Sequence, residues 1–514
     1  MTGAVTLALE VLASRIMTPY FGVSLYIWAG ILSITLTFLA VGYQLGGKIS
    51  AALSRAEVEY VFLAAPIVSA GAIVVSTLIY PTLFPWLSQG HLILGSFAGS
   101  TLLLALPLIA LSAMNPLLIS LLQDENHKGD SGAGRVFFIS TMGSVAGVLI
   151  TAFVFIPNMT NFRGALVLGL CLCVLVMVVT AGFYRSSTSR KRLLIILSFI
   201  TGLICTGLFV AKDSYLNALS ANDDHAYVYK IVKEYTSIFG NIKVVETAPR
   251  RGSGEVERVF VQDGLVQNRT RLDHTSLTPY TYKLEELVDL HAPLAKDVLI
   301  LGLGAGIVPR NLAVGGKQVT VVEINPVALD AAIEHFGFPV EKVNVQIEDA
   351  RTFVRRCRAA YDVAVVDLFL GDNVPDYLMT TEFFNDLKAC LNPNGALVMN
   401  VFFDSDNAIP NARLLATIAS AFPTLYLSGA SSGNVYIAGT TQEPKGAPTV
   451  QAGGIIISLA SFTLPHGFRL LPKYYADQNP FTDSHNIFSL LFSDANLSMR
   501  QYLAGELPVH VLVN

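Results

Sequence analysis

Three acids and a glycine loop stand where a chain of this pattern does chemistry. Gly302-Leu303-Gly304-Ala305-Gly306 follows the apolar run Val298-Leu299-Ile300-Leu301, Glu323 closes Gln318 to Val322, Asp349 follows Val343 to Ile347, and Asp367 closes Tyr361 to Val366. Glycines at alternate positions let the main chain turn sharply and approach a ligand closely, so Gly302, Gly304 and Gly306 are candidate nucleoside-binding residues. An acid after the second strand can accept hydrogen bonds from a ribose diol, the role expected of Glu323. Glycine or acid at four separate strand ends is hard to explain by packing alone.

The elements that must position these residues alternate strand and helix. Strands are expected at 298–301, 319–322, 343–347, 361–367 and 396–401, with helices at 307–314, 326–336, 351–358 and 382–391. Such alternation predicts a parallel sheet covered by helices on both faces, with ligands bound outside the carboxyl ends of the strands. The runs Tyr227 to Ile231, Ile242 to Val245 and Arg258 to Gln262 are β-branched or aromatic, and Asp263-Gly264 suits a tight hairpin turn, so a small antiparallel β-subdomain is expected over 222–287. A Rossmann-like nucleoside-binding domain is expected over 288–450, with a C-terminal extension, 451–514, packed on it.

The first 212 residues have a different solvent. The 514 residues are 52% hydrophobic and 14% charged, against roughly 25% charged in a soluble domain, and most of the charge lies after residue 210. Seven apolar stretches, about 3–19, 26–47, 61–80, 93–121, 136–156, 164–184 and 193–211, approach or exceed the roughly 17–25 residues that span a bilayer as a helix. The chain therefore reads as a multi-span α-helical membrane domain followed by an α/β Rossmann-like domain, in a multi-pass protein of the cell (inner) membrane. No cleavable leader is expected, and Met1 opens almost directly on apolar sequence. Glu10, inside the first stretch, is a candidate for a substrate path, or else a residue at the headgroup level. Lys48, Arg55, Lys128, Arg135, Arg185, Arg190, Lys191 and Arg192 follow the even-numbered spans. That bias places the second half of the chain outside, whereas an adenosyl co-substrate is made inside, and the chemistry favours a cytoplasmic catalytic domain. The net charge of -4 gives no sign of a nucleic-acid partner. The cysteines Cys171, Cys173, Cys205, Cys357 and Cys390 show neither metal-ligand spacing nor a disulfide framework, so no metal is expected.

From Ser237 to Val401 the chain resembles the spermidine synthases and their relatives of the class I methyltransferase-like fold. The resemblance rests on Ser237 to Glu246, on Asp263-Gly264-Leu265-Val266-Gln267, on Gly302 to Gly306, and on Val322-Glu323-Ile324-Asn325-Pro326. Glu348-Asp349-Ala350, Tyr361 to Asp367 and Leu378 to Phe384 extend it. Phe481-Thr482-Asp483-Ser484-His485-Asn486, with Leu9 to Gly22 and Gly42 to Gly47, is similar to membrane-fused members. The resemblance implies transfer of an aminopropyl group from decarboxylated S-adenosylmethionine to a polyamine, releasing methylthioadenosine, in a homodimer. Glu323 would hold the ribose, Asp349 and Ala350 the adenine edge, and Gln267 the methionine-derived tail. Asp367 would take the proton of the attacking amine, with Tyr280 beside it and Asp372 near the acceptor.

Departures fall on one side of that site. Ala305 stands where the family carries an acid among the glycines, Leu370 where it carries a second aspartate, Tyr280-Thr281-Tyr282 where it has Tyr-His-Glu, and Gly240 where it has glutamine. The adenosyl half is thus expected intact and the amine half rebuilt. Two alternatives stay open: another S-adenosylmethionine-consuming enzyme (a methyltransferase, or a lyase or cyclase), and a non-catalytic membrane transporter or sensor binding adenosyl ligands or polyamines.

Overall fold

A computed structural model describes residues 1–22, 25–90, 92–122, 132–184, 187–221, 226–251, 254–369, 374–403, 407–429, 434–440, 468–470, 472–493, 500–501, 505 and 507–514. Leu370, Asp372, Lys128, Arg185 and much of 451–514 lie outside these residues. Packing divides the chain into two units. One is Met1–Asp224 with Thr236–Ile238 and Ala504–Asn514; the other is His225–Tyr235 with Phe239–Leu503.

The described part of the first unit is led by helices α1 (Thr2–Phe21), α2 (Leu25–Ala52), α3 (Arg55–Ser88), α4 (Leu92–Leu122), α5 (Ala133–Asn158), α6 (Asn161–Phe183) and α7 (Thr188–Ser220). Six of them, α2 to α7, are long and apolar enough to cross a membrane. The sequence suggests seven spans; α1, which carries Glu10 and Arg15 within 20 residues, is not among the six. Instead α1 buries Leu9, Leu12, Ala13, Ile16 and Met17, and Glu10 with them at 9% exposure. Gly147 lets α5 close on α1, since a Cβ there would stand 2.2 Å from Ala4 O. Phe138, Ile139 and Phe153 of α5 and Phe199 and Leu203 of α7 are exposed. An apolar surface of this kind suits lipid and not water.

The second unit opens with an antiparallel sheet in the order β1 (Tyr227–Tyr235), β2 (Ile242–Pro249), β3 (Glu257–Gln262), β4 (Leu265–Arg271). Asp263 and Gly264 both take positive φ, 47° and 79°, which turns β3 into β4 over two residues. After α8 (Pro279–His291) come β5 (Asp297–Leu301), α9 (Ile307–Val314), β6 (Gln318–Glu323), α10 (Pro326–Phe336) and β7 (Val343–Ile347). Next are α11 (Ala350–Arg356), β8 (Tyr361–Val366), α12 (Thr381–Cys390), β9 (Leu391–Phe402) and α13 (Ala408–Ala419). β10 (Thr424–Gly429), β11 (Asn434–Thr440) and β12 (Phe468–Leu470) follow. The large sheet runs β12-β10-β11-β9-β8-β5-β6-β7, parallel from β9 to β7 and antiparallel beyond β9.

Period-two alternation divides each central strand between two cores. Val298, Ile300, Val363, Val365, Ala396 and Val398 face α8 and α9. Leu299, Leu301, Ala364, Val366, Leu397 and Met399 face α12 and α13. Both faces are covered, as a parallel sheet requires. The strand order reverses between β5, which leads outward to β6, and β8 on its other side; that switch point opens the crevice where the site lies.

Candidate active site

At the end of β5 the chain turns at Gly302 with φ 97°. A Cβ there would stand 2.2 Å from Asp367 O, so only glycine lets the ends of β5 and β8 meet. Gly302 N–H donates to Val322 O and Asp367 N–H to Leu301 O, which ties three strand ends together. β6 delivers Glu323 into this junction. Its Oε2 accepts from Leu303 N–H at 2.9 Å and its Oε1 from Asn325 N–H at 2.7 Å. Burial raises the Glu323 carboxyl, and these main-chain donors oppose the rise by favouring the ionised form. Asp349 caps α11: Oδ1 accepts from Thr352 N–H and Oδ2 from the Tyr377 hydroxyl, both at 2.8 Å.

Asp367 extends from the end of β8. Its Oδ1 accepts from Asn400 Nδ2 of β9 at 2.9 Å. Burial pushes its carboxyl up to about 6. Tyr280, from the first turn of α8, stands beside it. The Tyr280 hydroxyl accepts from Asn268 Nδ2 at 2.8 Å, and Asn268 Oδ1 accepts from Ala305 N–H at 3.2 Å. Burial, and then the charge of Asp367, hold the Tyr280 phenol well above its ordinary range, so it stays protonated.

One open cavity of ≈ 910 Å³, mouth included, is lined by Gln267, Tyr280, Gly302, Gly304, Glu323, Asp349, Ala350 and Asp367. Of the residues singled out in the sequence, Gly306 is off the wall, where a Cβ would stand 2.7 Å from Phe338. Asp372 lies outside the described residues. The acids Glu323, Glu348, Asp349 and Asp367 line the cavity, and no Lys, Arg or His is among the described lining residues.

The departures at the amine half have physical causes. Ala305 is 1% exposed and packs with Ile242, Val244, Phe260 and Ala328, away from the cavity wall. At Gly240 φ is 123° and a Cβ would stand 2.5 Å from Asp263 Oδ2, so a longer side chain has no room. The Tyr282 hydroxyl donates to Ser276 O at 2.9 Å and is spent there.

Sequence reasoning missed Asn268, Asn400 and Tyr377. Asn400 did leave a signal: it is a single amide inside the apolar run Leu397-Val398-Met399-Asn400-Val401, and buried amides are kept where they find a partner. The C-terminal motif also reaches the site indirectly. Arg351 donates to Tyr377 O at 2.6 Å and pairs with Asp483, while Ser489 N–H donates to Asp376 Oδ1 at 2.8 Å. These bonds hold the cavity wall at 375–378.

Residues 278–406 match the spermine/spermidine synthase domain. The matched stretch holds Tyr280, the glycine loop, Glu323, Asp349, Asp367 and Asn400. The chain is 38% identical over 141 residues to an N-terminal histidine N-methyltransferase of Emericella nidulans, covering 26% of this chain and 25% of that one. It is 28% identical over 215 residues to a polyamine aminopropyltransferase of Vibrio vulnificus, covering 40% of this chain and 71% of the relative. It is 26% identical over 349 residues to polyamine aminopropyltransferase 1 of Streptomyces coelicolor, covering 63% of this chain and 62% of the relative. The chain thus spans only a quarter of the first of these relatives and about two thirds of the other two.

Proposed function

We propose that this protein transfers the aminopropyl group of decarboxylated S-adenosylmethionine to an amine of the polyamine class, at a membrane. The observation that carries the reading is Asp367, a carboxylate at the switch point with one oxygen committed to Asn400 and a carboxyl at about 6. At neutral pH it is ionised, and it attracts a cationic amine and takes its proton.

In the step, the amine nitrogen attacks the methylene bound to the sulfonium. A C–N bond forms, the C–S bond breaks, and its electron pair stays on sulfur, which leaves as the neutral thioether methylthioadenosine. The proton lost by the amine passes to Asp367. Holding the two reactants in line supplies much of the acceleration. Glu323 is pre-set by two main-chain donors to receive the ribose hydroxyls. Glu323, Asp349 and Asp367, with no Lys, Arg or His among the described lining residues, suit a co-substrate that carries positive charge; the fourth acid, Glu348, is paired with Arg356.

A second reading is methyl transfer from S-adenosylmethionine to nitrogen, favoured by the similarity to the histidine N-methyltransferase. The same base serves it. Purified full-chain protein incubated with either co-substrate and an amine, followed by mass spectrometry, separates the two. Methylthioadenosine with an aminopropylated amine supports the first reading. Adenosylhomocysteine supports the second, and consumption of neither co-substrate overturns both. The catalytic unit is proposed to face the cytoplasm, where the co-substrate is made.

A further inference from the structure

We infer that Asn400 is a positioning residue whose side-chain amide holds Asp367 with its second carboxylate oxygen turned to the incoming amine. The inference rests on the reading above only for the identity of that amine.

Asp367 and Asn400 follow the same face of neighbouring parallel strands, the face that carries Val363, Val365 and Val398. Asn400 Nδ2 lies 2.9 Å from Asp367 Oδ1. Asn400 is 3% exposed and off the cavity wall, so it acts on substrate only through Asp367. Its own Oδ1 is buried with no hydrogen-bond partner among the described residues. A buried strand is more stable with valine or leucine there than with a half-satisfied amide. The amide nevertheless provides what neither can, a donor without charge. A valine would leave the carboxylate unheld, and a lysine would neutralise it and end its pull on a cation.

An inventory of donors supports the assignment. Among the described residues no other side chain donates to Asp367. Asn268 gives its oxygen to Ala305 N–H and an amide hydrogen to Tyr280, and among the described residues it makes no hydrogen bond to Asp367. Asp367 Oδ1 is occupied by Asn400, which leaves Oδ2 for the amine. The titratable groups facing Asp367 are Tyr280 from α8 and Tyr436 from β11, both phenols that burial keeps protonated, with Glu323 among the cavity acids. Donation from Asn400 favours the ionised carboxylate and opposes the burial that raises it.

The test uses full-chain protein in detergent micelles: wild type, Asn400→Ala, and the isosteric Asn400→Asp. Calorimetry gives the Kd of decarboxylated S-adenosylmethionine, a cation, and of methylthioadenosine, which is neutral, between about pH 5 and 8. In wild type the cation should bind more weakly as pH falls through about 6, while the neutral nucleoside is indifferent to pH. In both variants the break should move up by about one pH unit or more, because the carboxylate loses its donor or gains an acid neighbour. Methylthioadenosine affinity should stay as in wild type. A break that stays in place overturns the inference. So does loss of methylthioadenosine binding in both variants, which would mark Asn400 as merely structural. A wild type that binds both nucleosides yet makes no aminopropylated amine overturns the functional reading alone, and one that binds neither overturns both.

Discussion

As the proposed base, Asp367 would set the pH dependence, and the sign follows from its shift. Its carboxyl, raised by burial to about 6, is protonated below that value and ionised above it. Only the ionised form can take a proton, so kcat/KM should rise about tenfold per unit up to pH ~6 and then level off. Asp367→Asn should lower kcat by about 10²–10⁴-fold while leaving methylthioadenosine binding intact. The same shift has a consequence for stability. The unfolded chain ionises Asp367 near 3.9, so ionising it in the fold is unfavourable; that loss is absent below about pH 4 and complete above about 6. Asp367→Asn should therefore stabilise the protein by about 1–3 kcal/mol at neutral pH and by nothing near pH 4, as read from thermal melts at the two pH values. Ala305 gives a second prediction. Its methyl is buried among Ile242, Val244 and Phe260. Ala305→Asp should therefore lower the Tm, at a cost of about 3 kcal/mol or more for an unpaired buried acid, and should not improve amine binding. Sequence alone marked position 305 as a departure from the family; the packing shows that the residue faces a core.

The elements deliver these residues unevenly from sequence to structure. Helix 326–336 has the expected bounds, because its start signal at Pro326 is local, but it buries Ala328, Ala331, Ala332 and Phe336 and leaves Ile333 of the expected apolar side exposed. All five expected strands appear, four of them with buried apolar centres; β7 is a half-exposed edge strand, and β9 starts at Leu391, five residues before the expected 396. β4 was not legible. Leu265–Arg271 is mostly polar, and it becomes a strand because β3 pairs with it across a two-residue turn. The wall at 375–378 depends on Arg351, which joins Tyr377 to Asp483. Arg351→Ala should free that wall and raise KM for the adenosyl co-substrate several-fold, with kcat nearly unchanged. Steady-state kinetics at saturating amine would read the split, and an equal fall in kcat would count against a positioning role.

For the whole molecule, the two units differ in surface, the first carrying six helices long and apolar enough to cross a membrane. Six apolar helices with exposed Phe, Ile and Leu predict that the chain stays with membranes through an alkaline carbonate wash and leaves only with detergent. Orientation is a sharper question. The loop charges and the supply of co-substrate point to opposite sides. We expect a C-terminal reporter that works only after export to be inactive, with a cytoplasmic reporter active. The reverse would withdraw the cytoplasmic placement and favour the charge bias.

The sequence by itself determined the local quantities: the apolar runs long enough for a bilayer, the strand–helix alternation, and the glycine or acid at each strand end. These follow from period and composition within a few residues. Only the tertiary structure decided which polar groups meet. Asn400 reaches Asp367 from 33 residues away, Asn268 reaches Ala305 from 37, and Arg351 reaches Asp483 from 132. A hydrogen bond needs a partner within about 3 Å in space, and local spacing says nothing about which distant residue that will be.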